Sequence, residues 1–284
     1  MKILVTGANG MVGSYFPKIF DKDKLVLTDI EDLDVRDPDA AFKWMEKENP
    51  DIVYHLAAKT DVDKCELEVE DAYLTNTIGT QNIALACQKY NKVMVYISTA
   101  GVFDGKKIEP YTEFDLPNPV NIYGKTKLEG EVIVRDLLYK FYIVRAGWMM
   151  GGGPAKDKKF VYKVIRISEI NEVLRAVNDK FGSPTYALDL VKGLKELTKT
   201  GYFGLYHMTN TGIVCSRYEV AIEIFKILNN YIKIIPVSSA YFPLPALRAR
   251  SEAMQNMKLD LLKINKMRSW KAALKEYLRE STQN

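Results

Sequence analysis

The feature that most constrains the fold is a glycine-rich turn directly after the first apolar run. Residues 2–6 form a short aliphatic segment, and the turn Gly7-Ala8-Asn9-Gly10-Met11-Val12-Gly13 leads from it into a helical pattern. A diphosphate needs backbone N–H groups and a helix N-terminus close to it, and glycine permits both the tight turn and the close approach. Glycines between a first strand and a first helix therefore predict a dinucleotide site rather than a structural turn.

The second predicted strand ends at Asp29. A carboxylate at this place can accept hydrogen bonds from the adenosine ribose hydroxyls, and its charge repels a 2′-phosphate. Asp29 therefore favours NAD over NADP as the cofactor. Two alternatives stay open, because Asp29 could simply begin a loop and the nearby cations Lys22, Lys24 and Arg36 could accommodate the extra phosphate.

Strand and helix patterns alternate through the first half of the chain, which predicts an α/β fold with a Rossmann-like, doubly wound parallel sheet. The predicted strands are 2–6, 24–29, 52–56, 93–98 and 141–145, and the predicted helices are 11–20, 38–49, 69–90 and 123–139. After Arg145, the run Gly151-Gly152-Gly153 and Pro-rich loops end this alternation. We expect an NAD(P)-binding domain at 1–147, to which the chain returns around 176–210, and a smaller mixed α/β substrate-binding lobe at 148–284.

Tyr123 and Lys127 stand one helical turn apart, so both lie on one face of a helix. A tyrosine with a pKa of about 10 is a poor acid–base group at neutral pH, and an ammonium group close to it lowers that pKa. We therefore expect Lys127 to lower the pKa of Tyr123, which gives a proton to a carbonyl oxygen while hydride reaches the carbon. Ser98-Thr99 ends the fourth strand, where open α/β sheets bind ligands, and a hydroxyl there can bind the same oxygen.

Together these residues resemble the extended short-chain dehydrogenase/reductase superfamily and, within it, most closely the dTDP-4-dehydrorhamnose reductase family. Several further blocks follow the family's order through residues 1–190, with a vaguer similarity at 248–259. They are Leu33-Asp34-Val35, Ala57-Ala58-Lys59-Thr60-Asp61-Val62-Asp63-Lys64, Val102-Phe103-Asp104-Gly105, Tyr123-Gly124-Lys125-Thr126-Lys127-Leu128-Glu129-Gly130-Glu131, Arg145-Ala146-Gly147-Trp148 and Asp179-Lys180-Phe181-Gly182-Ser183-Pro184-Thr185.

The resemblance implies reduction of the 4-keto group of a nucleotide-linked deoxysugar with NAD(P)H. It implies catalytic roles for Thr99, Tyr123 and Lys127, and substrate-binding roles for Thr60, Thr99, Trp148 and Arg250. The implied cofactor-binding residues are Gly7, Asn9, Gly10, Met11, Val12, Gly13, Asp29, Asp34, Val35, Leu56, Ala57, Ala58, Ser98, Tyr123 and Lys127. Core packing is the alternative for Trp148, because an aromatic side chain after a strand is commonly buried.

The chain departs from the family directly after the Ser-Thr pair. The family has Asp-Tyr there, and this chain has Ala100-Gly101. The change removes a carboxylate and a phenol from the expected sugar pocket, which weakens recognition of a polyhydroxylated ring or requires a different ring. The identity of the sugar therefore stays open, while the hydride chemistry is unaffected.

The substrate diphosphate has candidate partners in the second half of the chain. They are Lys156, Lys158, Lys159, Arg248 and Arg250, because ammonium and guanidinium groups suit phosphate oxygens. The alternative for each of them is an ordinary surface charge.

Two other functions stay open. An epimerase or dehydratase of the same superfamily retains its cofactor and returns the hydride; the missing carboxylates at Ala100-Gly101 count against a dehydratase but not against an epimerase. A non-catalytic, dinucleotide-binding regulatory subunit would keep the fold without turnover. The intact pair Tyr123 and Lys127 counts against that function.

Composition argues against several other classes of protein. The net charge of +4 is small and mostly dispersed, unlike that of a nucleic-acid-binding protein, and no segment has the ~18 uninterrupted apolar residues of a membrane span. The spacing of the cysteines and histidines predicts reduced, buried thiols and no metal centre. The early glycines do not suit a secretory signal, so we expect a cytoplasmic protein. The expected partner is a nucleotide sugar, and the family's frequent dimerisation leaves a homodimer open.

Overall fold

The structure, a computed structural model, describes residues 1–282. Its strands are β1 (Lys2–Thr6), β2 (Lys24–Thr28), β3 (Ile52–His55), β4 (Val93–Thr99), β5 (Phe141–Ala146), β6 (Met149–Met150), β7 (Val173–Val177), β8 (Phe181–Gly182), β9 (Thr185–Tyr186), β10 (Gly204–His207), β11 (Cys215–Ser216), β12 (Lys233–Val237) and β13 (Ser251–Glu252). Its α-helices are α1 (Phe16–Ile19), α2 (Pro38–Glu48), α3 (Val62–Leu67), α4 (Val69–Tyr73), α5 (Gly79–Lys89), α6 (Ile122–Leu137), α7 (Gly153–Lys156), α8 (Phe160–Ser168), α9 (Ala187–Lys199), α10 (Arg217–Ile227), α11 (Met257–Leu261) and α12 (Trp270–Thr282).

Six strands form the central sheet in the order β10-β5-β4-β3-β1-β2, and every neighbouring pair is parallel. Side chains of β1 alternate between two hydrophobic cores, because successive residues of a strand point to opposite faces. Ile3 and Val5 pack with Phe16 on one face, and Leu4 packs with Met45 on the other. Helices cover both faces, so the predicted Rossmann-like α/β class is confirmed.

The second half of the chain builds smaller sheets around a separate core. These sheets are β11-β8-β13, β12-β7 and β6-β9. Their core contains Val161, Leu174, Ile224 and Leu274. The chain returns to the central sheet at β10, which pairs with β5. The division into domains at 1–147 and 148–284 stays a prediction.

Two predicted helices differ from the observed ones. The predicted helix 11–20 is instead a 3-10 helix, Gly13–Tyr15, followed by the four residues of α1. Pro17 has no backbone N–H, so it cannot donate the bond to Gly13 that a continuous α-helix requires. The predicted helix 69–90 contains a π-helical stretch, Leu74–Ile78, between α4 and α5. The Asn76 side chain there binds the backbone N–H and C=O groups of Lys59.

The three cysteines, Cys65, Cys87 and Cys215, are free and buried. In the part of the chain that the structure describes, no helix combines the length and apolarity needed to cross a membrane.

Candidate active site

The glycine turn after β1 leaves no room for a side chain at position 7 or position 13. Gly7 has a φ of +66°, and a Cβ on it would lie 2.7 Å from the Ala57 Cα. A Cβ on Gly13 would lie 2.3 Å from the Ala8 carbonyl oxygen. Only glycine satisfies both positions, so the turn packs tightly against itself and against the segment after β3. These features fit the diphosphate of a dinucleotide, as the sequence predicts.

Asp29 lies against this turn. Its Oδ2 accepts a hydrogen bond from the Asn9 backbone N–H at 2.8 Å, and its Oδ1 accepts one from the Ile30 N–H at 2.9 Å. The structure therefore brings the predicted ribose-binding carboxylate beside the glycine turn. Arg36, an alternative partner for a 2′-phosphate, is bound to Asp34 at 2.7 Å and lowers the pKa of that carboxyl.

Several of the other predicted cofactor residues border the same turn. Leu56, Ala57 and Ala58 follow β3, and the Ala57 backbone N–H donates to the Thr6 hydroxyl at 3.4 Å. Met11 and Val12 are half-buried in the turn itself. Val35 is buried instead, where it packs against Gly79, and a Cβ on Gly79 would lie 2.7 Å from a Val35 methyl group. Gly10 lies in the turn, and its N–H donates to the Gly7 carbonyl at 3.2 Å.

Helix α6 presents Tyr123 in its first turn. The Asn121 side chain caps the helix by accepting from the Gly124 N–H at 2.9 Å. A Cβ on Gly124 would lie 2.2 Å from the Gly101 carbonyl oxygen, so the start of α6 packs directly on the segment that follows β4. This packing brings Tyr123 and Thr99 together at the carboxyl end of the sheet, where open α/β folds bind ligands.

Burial governs the proton affinity of the Tyr123 and Lys127 side chains. It raises the pKa of Tyr123 to about 12, although the Thr99 side chain, as a hydrogen-bond partner, lowers it. It also lowers the pKa of Lys127 to about 7, against the opposing effect of Glu131. The pKa of Tyr123 is therefore raised and not lowered as expected, because loss of hydration is the largest influence on it and Lys127 is not among the groups that shift it. The phenol is held in its neutral form, which is the form that can donate a proton.

A buried ion pair lies behind these residues. Arg145 binds Glu131 through two hydrogen bonds, from Nε to Oε1 at 2.8 Å and from Nη2 to Oε2 at 2.6 Å. The Ser98 hydroxyl donates to the same carboxylate at 2.5 Å, so its side chain is already engaged within the protein. The Lys127 ammonium lies 4.1 Å from the centre of the Tyr96 ring. Glu131 and Arg145 had no predicted role, although both stand in the sequence blocks that resemble the family.

Trp148 joins two residues that the sequence analysis missed. Its backbone has a φ of +45°, and its indole N–H donates to Oε2 of Glu252 at 2.9 Å. The Arg217 guanidinium lies 3.7 Å from the centre of the Trp148 ring. Ser216 and Glu219 form a capping box, a pattern that can be recognised in the sequence and that places Arg217 in the first turn of α10. No comparable local signal distinguishes Glu252.

The predicted phosphate-binding cations differ in their placement. Lys156 donates to the Asn9 carbonyl at 2.7 Å, and Lys159 donates to the Thr60 carbonyl at 3.1 Å. These two lysines connect the second half of the chain to the glycine turn and to the loop after β3. Arg248 pairs with Asp63 at 2.8 Å. Lys158, Arg250 and Thr60 are exposed.

Comparison with known proteins identifies the family. A family model described as the RmlD substrate binding domain matches residues 1–283. The dTDP-4-dehydrorhamnose reductase of Aggregatibacter actinomycetemcomitans is 32% identical, with 96% of this chain and 97% of that protein covered. The chain belongs to the dTDP-4-dehydrorhamnose reductase family. The resemblance predicted from its sequence blocks is thereby confirmed.

Solved structures of this family share the whole fold. The dTDP-4-dehydrorhamnose reductase of Clostridium acetobutylicum has a TM-score of 0.96 and 39% identity, covering 99% of this chain and 100% of that one. The enzyme of Bacillus anthracis, solved in complex with NADP, has a TM-score of 0.94 and 36% identity, covering 98% of this chain and 99% of that one.

Proposed function

We propose that this chain is an NAD(P)H-dependent reductase of the 4-keto group of a nucleotide-linked deoxysugar, and that dTDP-4-dehydrorhamnose is the substrate to test first. The observation that carries the proposal is that Tyr123 and Thr99 lie together at the carboxyl end of the central sheet, whose strand β1 leads into the glycine turn. The names of the relatives support the same reaction.

The glycine turn and Asp29 hold the dinucleotide, and the Lys127 ammonium binds its nicotinamide ribose. When bound, the reduced nicotinamide supplies a hydride to the carbonyl carbon. The chain's own contribution is to place the carbonyl group and to neutralise the charge that develops on its oxygen.

Tyr123 donates its phenolic proton to that oxygen, while the Thr99 hydroxyl orients the carbonyl group. Burial raises the pKa of Tyr123 to about 12, which favours the protonated phenol, the form that donates, throughout the physiological range. The Lys127 ammonium, where protonated, stabilises the phenolate that remains after the transfer.

Four finer points belong to the proposal. Asp29 favours NADH over NADPH, because its carboxylate repels a 2′-phosphate. Residues 1–147 bind the dinucleotide and residues 148–284 bind most of the nucleotide sugar. The enzyme works in the cytoplasm. A homodimer is its expected assembly.

The experiment is a screen of nucleotide-linked 4-keto sugars with NADH and with NADPH, followed by the cofactor absorbance. We expect one equivalent of cofactor to be oxidised for each ketone reduced. A sugar that changes configuration or loses water without net oxidation of the cofactor would indicate an epimerase or a dehydratase instead. Co-purification of an unrelated catalytic chain, with no ketone reduced, would indicate a regulatory subunit.

A further inference from the structure

Glu252 is held in one place by its surroundings. It lies in β13 and is in register with Gly182 of β8. A Cβ on Gly182 would lie 2.3 Å from the Trp148 ring, so the strand pair packs tightly against the indole. The Trp148 N–H engages Oε2 of Glu252 at 2.9 Å and fixes the direction of the carboxylate.

The second oxygen of this carboxylate faces the segment after β4. A Cβ on Gly101 would lie 3.8 Å from Oε1 of Glu252 and 3.4 Å from the Thr99 hydroxyl. The carboxylate therefore reaches the space that a side chain at position 101 would enter. Its charge also contributes to the raised pKa of Tyr123, which indicates that it acts on the phenol. The carboxylate, the Thr99 hydroxyl and the phenol thus border one space.

Arg217 balances the charge of Glu252. Its guanidinium lies over the rings of Trp148 and Phe160, at 3.7 Å and 4.9 Å from their centres. Burial lowers the pKa of Arg217 to about 10, and the Glu252 carboxylate opposes that shift. Because one cation and one anion lie together, the space suits an uncharged hydrogen-bond donor better than an ammonium group.

We propose that Glu252 determines specificity, with its Oε1 accepting a hydrogen bond from a hydroxyl of the sugar ring next to the reacting carbonyl. In this way Glu252 replaces a side chain that Ala100-Gly101 lacks. The inference rests on the proposed function, because it assumes that the sugar ring lies between Tyr123 and Trp148. It concerns which ring is bound and not how hydride is transferred.

Binding of two ligands tests this role. Affinities for dTDP-rhamnose and for dTDP alone are measured by calorimetry for the wild type, E252Q and E252A, with the exposed E109Q as the matched control. In E252Q the Trp148 N–H can still donate to the amide oxygen, and the amide NH2 group then faces Gly101. We expect both Glu252 variants to bind dTDP-rhamnose about 10- to 100-fold more weakly, the size of a hydrogen bond to a charged group, and to bind dTDP as the wild type does. E109Q should match the wild type with both ligands.

Three outcomes decide the proposal. Equal weakening of both ligands means that Glu252 only supports the fold around Trp148, and unchanged binding of dTDP-rhamnose means that it does not meet the sugar; either overturns the role. If the wild type and E109Q bind dTDP-rhamnose more tightly than dTDP, and only the Glu252 variants lose this preference, the role is supported. Turnover separates this inference from the proposed function. If the wild type reduces a 4-keto sugar and E252Q does so with unchanged kcat and KM, only the role of Glu252 is contradicted. If the wild type reduces no 4-keto sugar, the function itself is contradicted.

A second variant pair examines the shared space without removing the carboxylate. G101A adds a Cβ at ordinary contact distances and should bind dTDP-rhamnose as the wild type does. G101L extends towards Oε1 of Glu252 and should weaken the binding of dTDP-rhamnose while leaving that of dTDP unchanged. In the G101L background, E252Q should then have little further effect. If the effects of G101L and E252Q on the binding free energy of dTDP-rhamnose were fully additive, the two positions would not border one space.

Discussion

The two sides of the active site are built in different ways. On the cofactor side, Thr99 ends the parallel strand β4, and Tyr123 lies in the first turn of α6, which packs on the segment after that strand. On the sugar side, Glu252 belongs to a strand of two residues, and Trp148 and Arg217 come from separate parts of the chain. Under the proposed function, this difference means that the central sheet places the groups for the reaction, while substrate choice would depend on small elements outside that sheet.

The largest effect is expected on the cofactor side, from Tyr123→Phe. The variant removes the proton donor and keeps the ring, so turnover should fall by about 100- to 10,000-fold while dinucleotide affinity is retained. Steady-state kinetics and a cofactor titration measure the two quantities. Tyr139→Phe, on a nearly fully exposed tyrosine, is the matched control and should be fully active. Normal turnover by Tyr123→Phe would mean that another group protonates the oxygen.

Removal of Glu131 tests whether the cofactor side depends on its buried ion pair. Glu131→Ala leaves the buried Arg145 guanidinium without its partner, which should lower the free energy of unfolding by about 3–5 kcal/mol. Glu196→Ala breaks an exposed pair with Lys199 and should change it by less than about 1 kcal/mol. Urea denaturation compares them. If both variants changed the free energy of unfolding equally, the buried pair would contribute no more to stability than the exposed one.

Acid should destabilise the central sheet through its two histidines. Burial lowers the pKa of His55 and of His207 to about 3, from an unfolded value of about 6.5. Below pH 6.5 the unfolded chain binds protons that the folded chain does not, so stability falls as the pH drops. At pH 5 the loss is roughly 2 kcal/mol for each histidine.

Thermal unfolding between pH 7 and pH 5 measures this loss. Most carboxylates titrate below this window, and the two whose pKa burial raises, Glu113 and Asp157, would change stability in the opposite direction. His55→Asn should reduce the slope of Tm against pH. A Tm that does not change between these two pH values would contradict the burial of both neutral rings.

The smallest effect concerns cofactor choice. Asp29→Asn keeps an oxygen that can accept from the Asn9 N–H and removes the charge that repels a 2′-phosphate. We expect the ratio of kcat/KM for NADH to that for NADPH to fall by about tenfold. Asp136→Asn, on the exposed part of α6, is the control and should leave the ratio unchanged. A wild type that prefers NADPH, with no response to Asp29→Asn, would remove Asp29 from cofactor selection.

The same comparison explains how far the sequence could predict the molecule. The glycine turn and the pair Tyr123 and Lys127 follow from local spacing, which strand–helix geometry converts directly into position. Burial does not follow from spacing, so the pKa of Tyr123 is raised although the pair with Lys127 predicted that it would be lowered. The missing N–H of Pro17 explains why the observed α1 is shorter than the predicted helix 11–20. Glu252 reaches the site through pairing between β13 and β8, a long-range contact that no local pattern announces.

The most direct test of the central claim is the fate of the cofactor's hydrogen. A nicotinamide cofactor carrying deuterium in place of the transferred hydrogen is incubated with dTDP-4-dehydrorhamnose and the wild-type protein, and the sugar product is examined by mass spectrometry and NMR. Net reduction predicts one deuterium on the carbon of the former carbonyl and an equal amount of oxidised cofactor. An altered sugar without deuterium, with the cofactor still reduced, would contradict it.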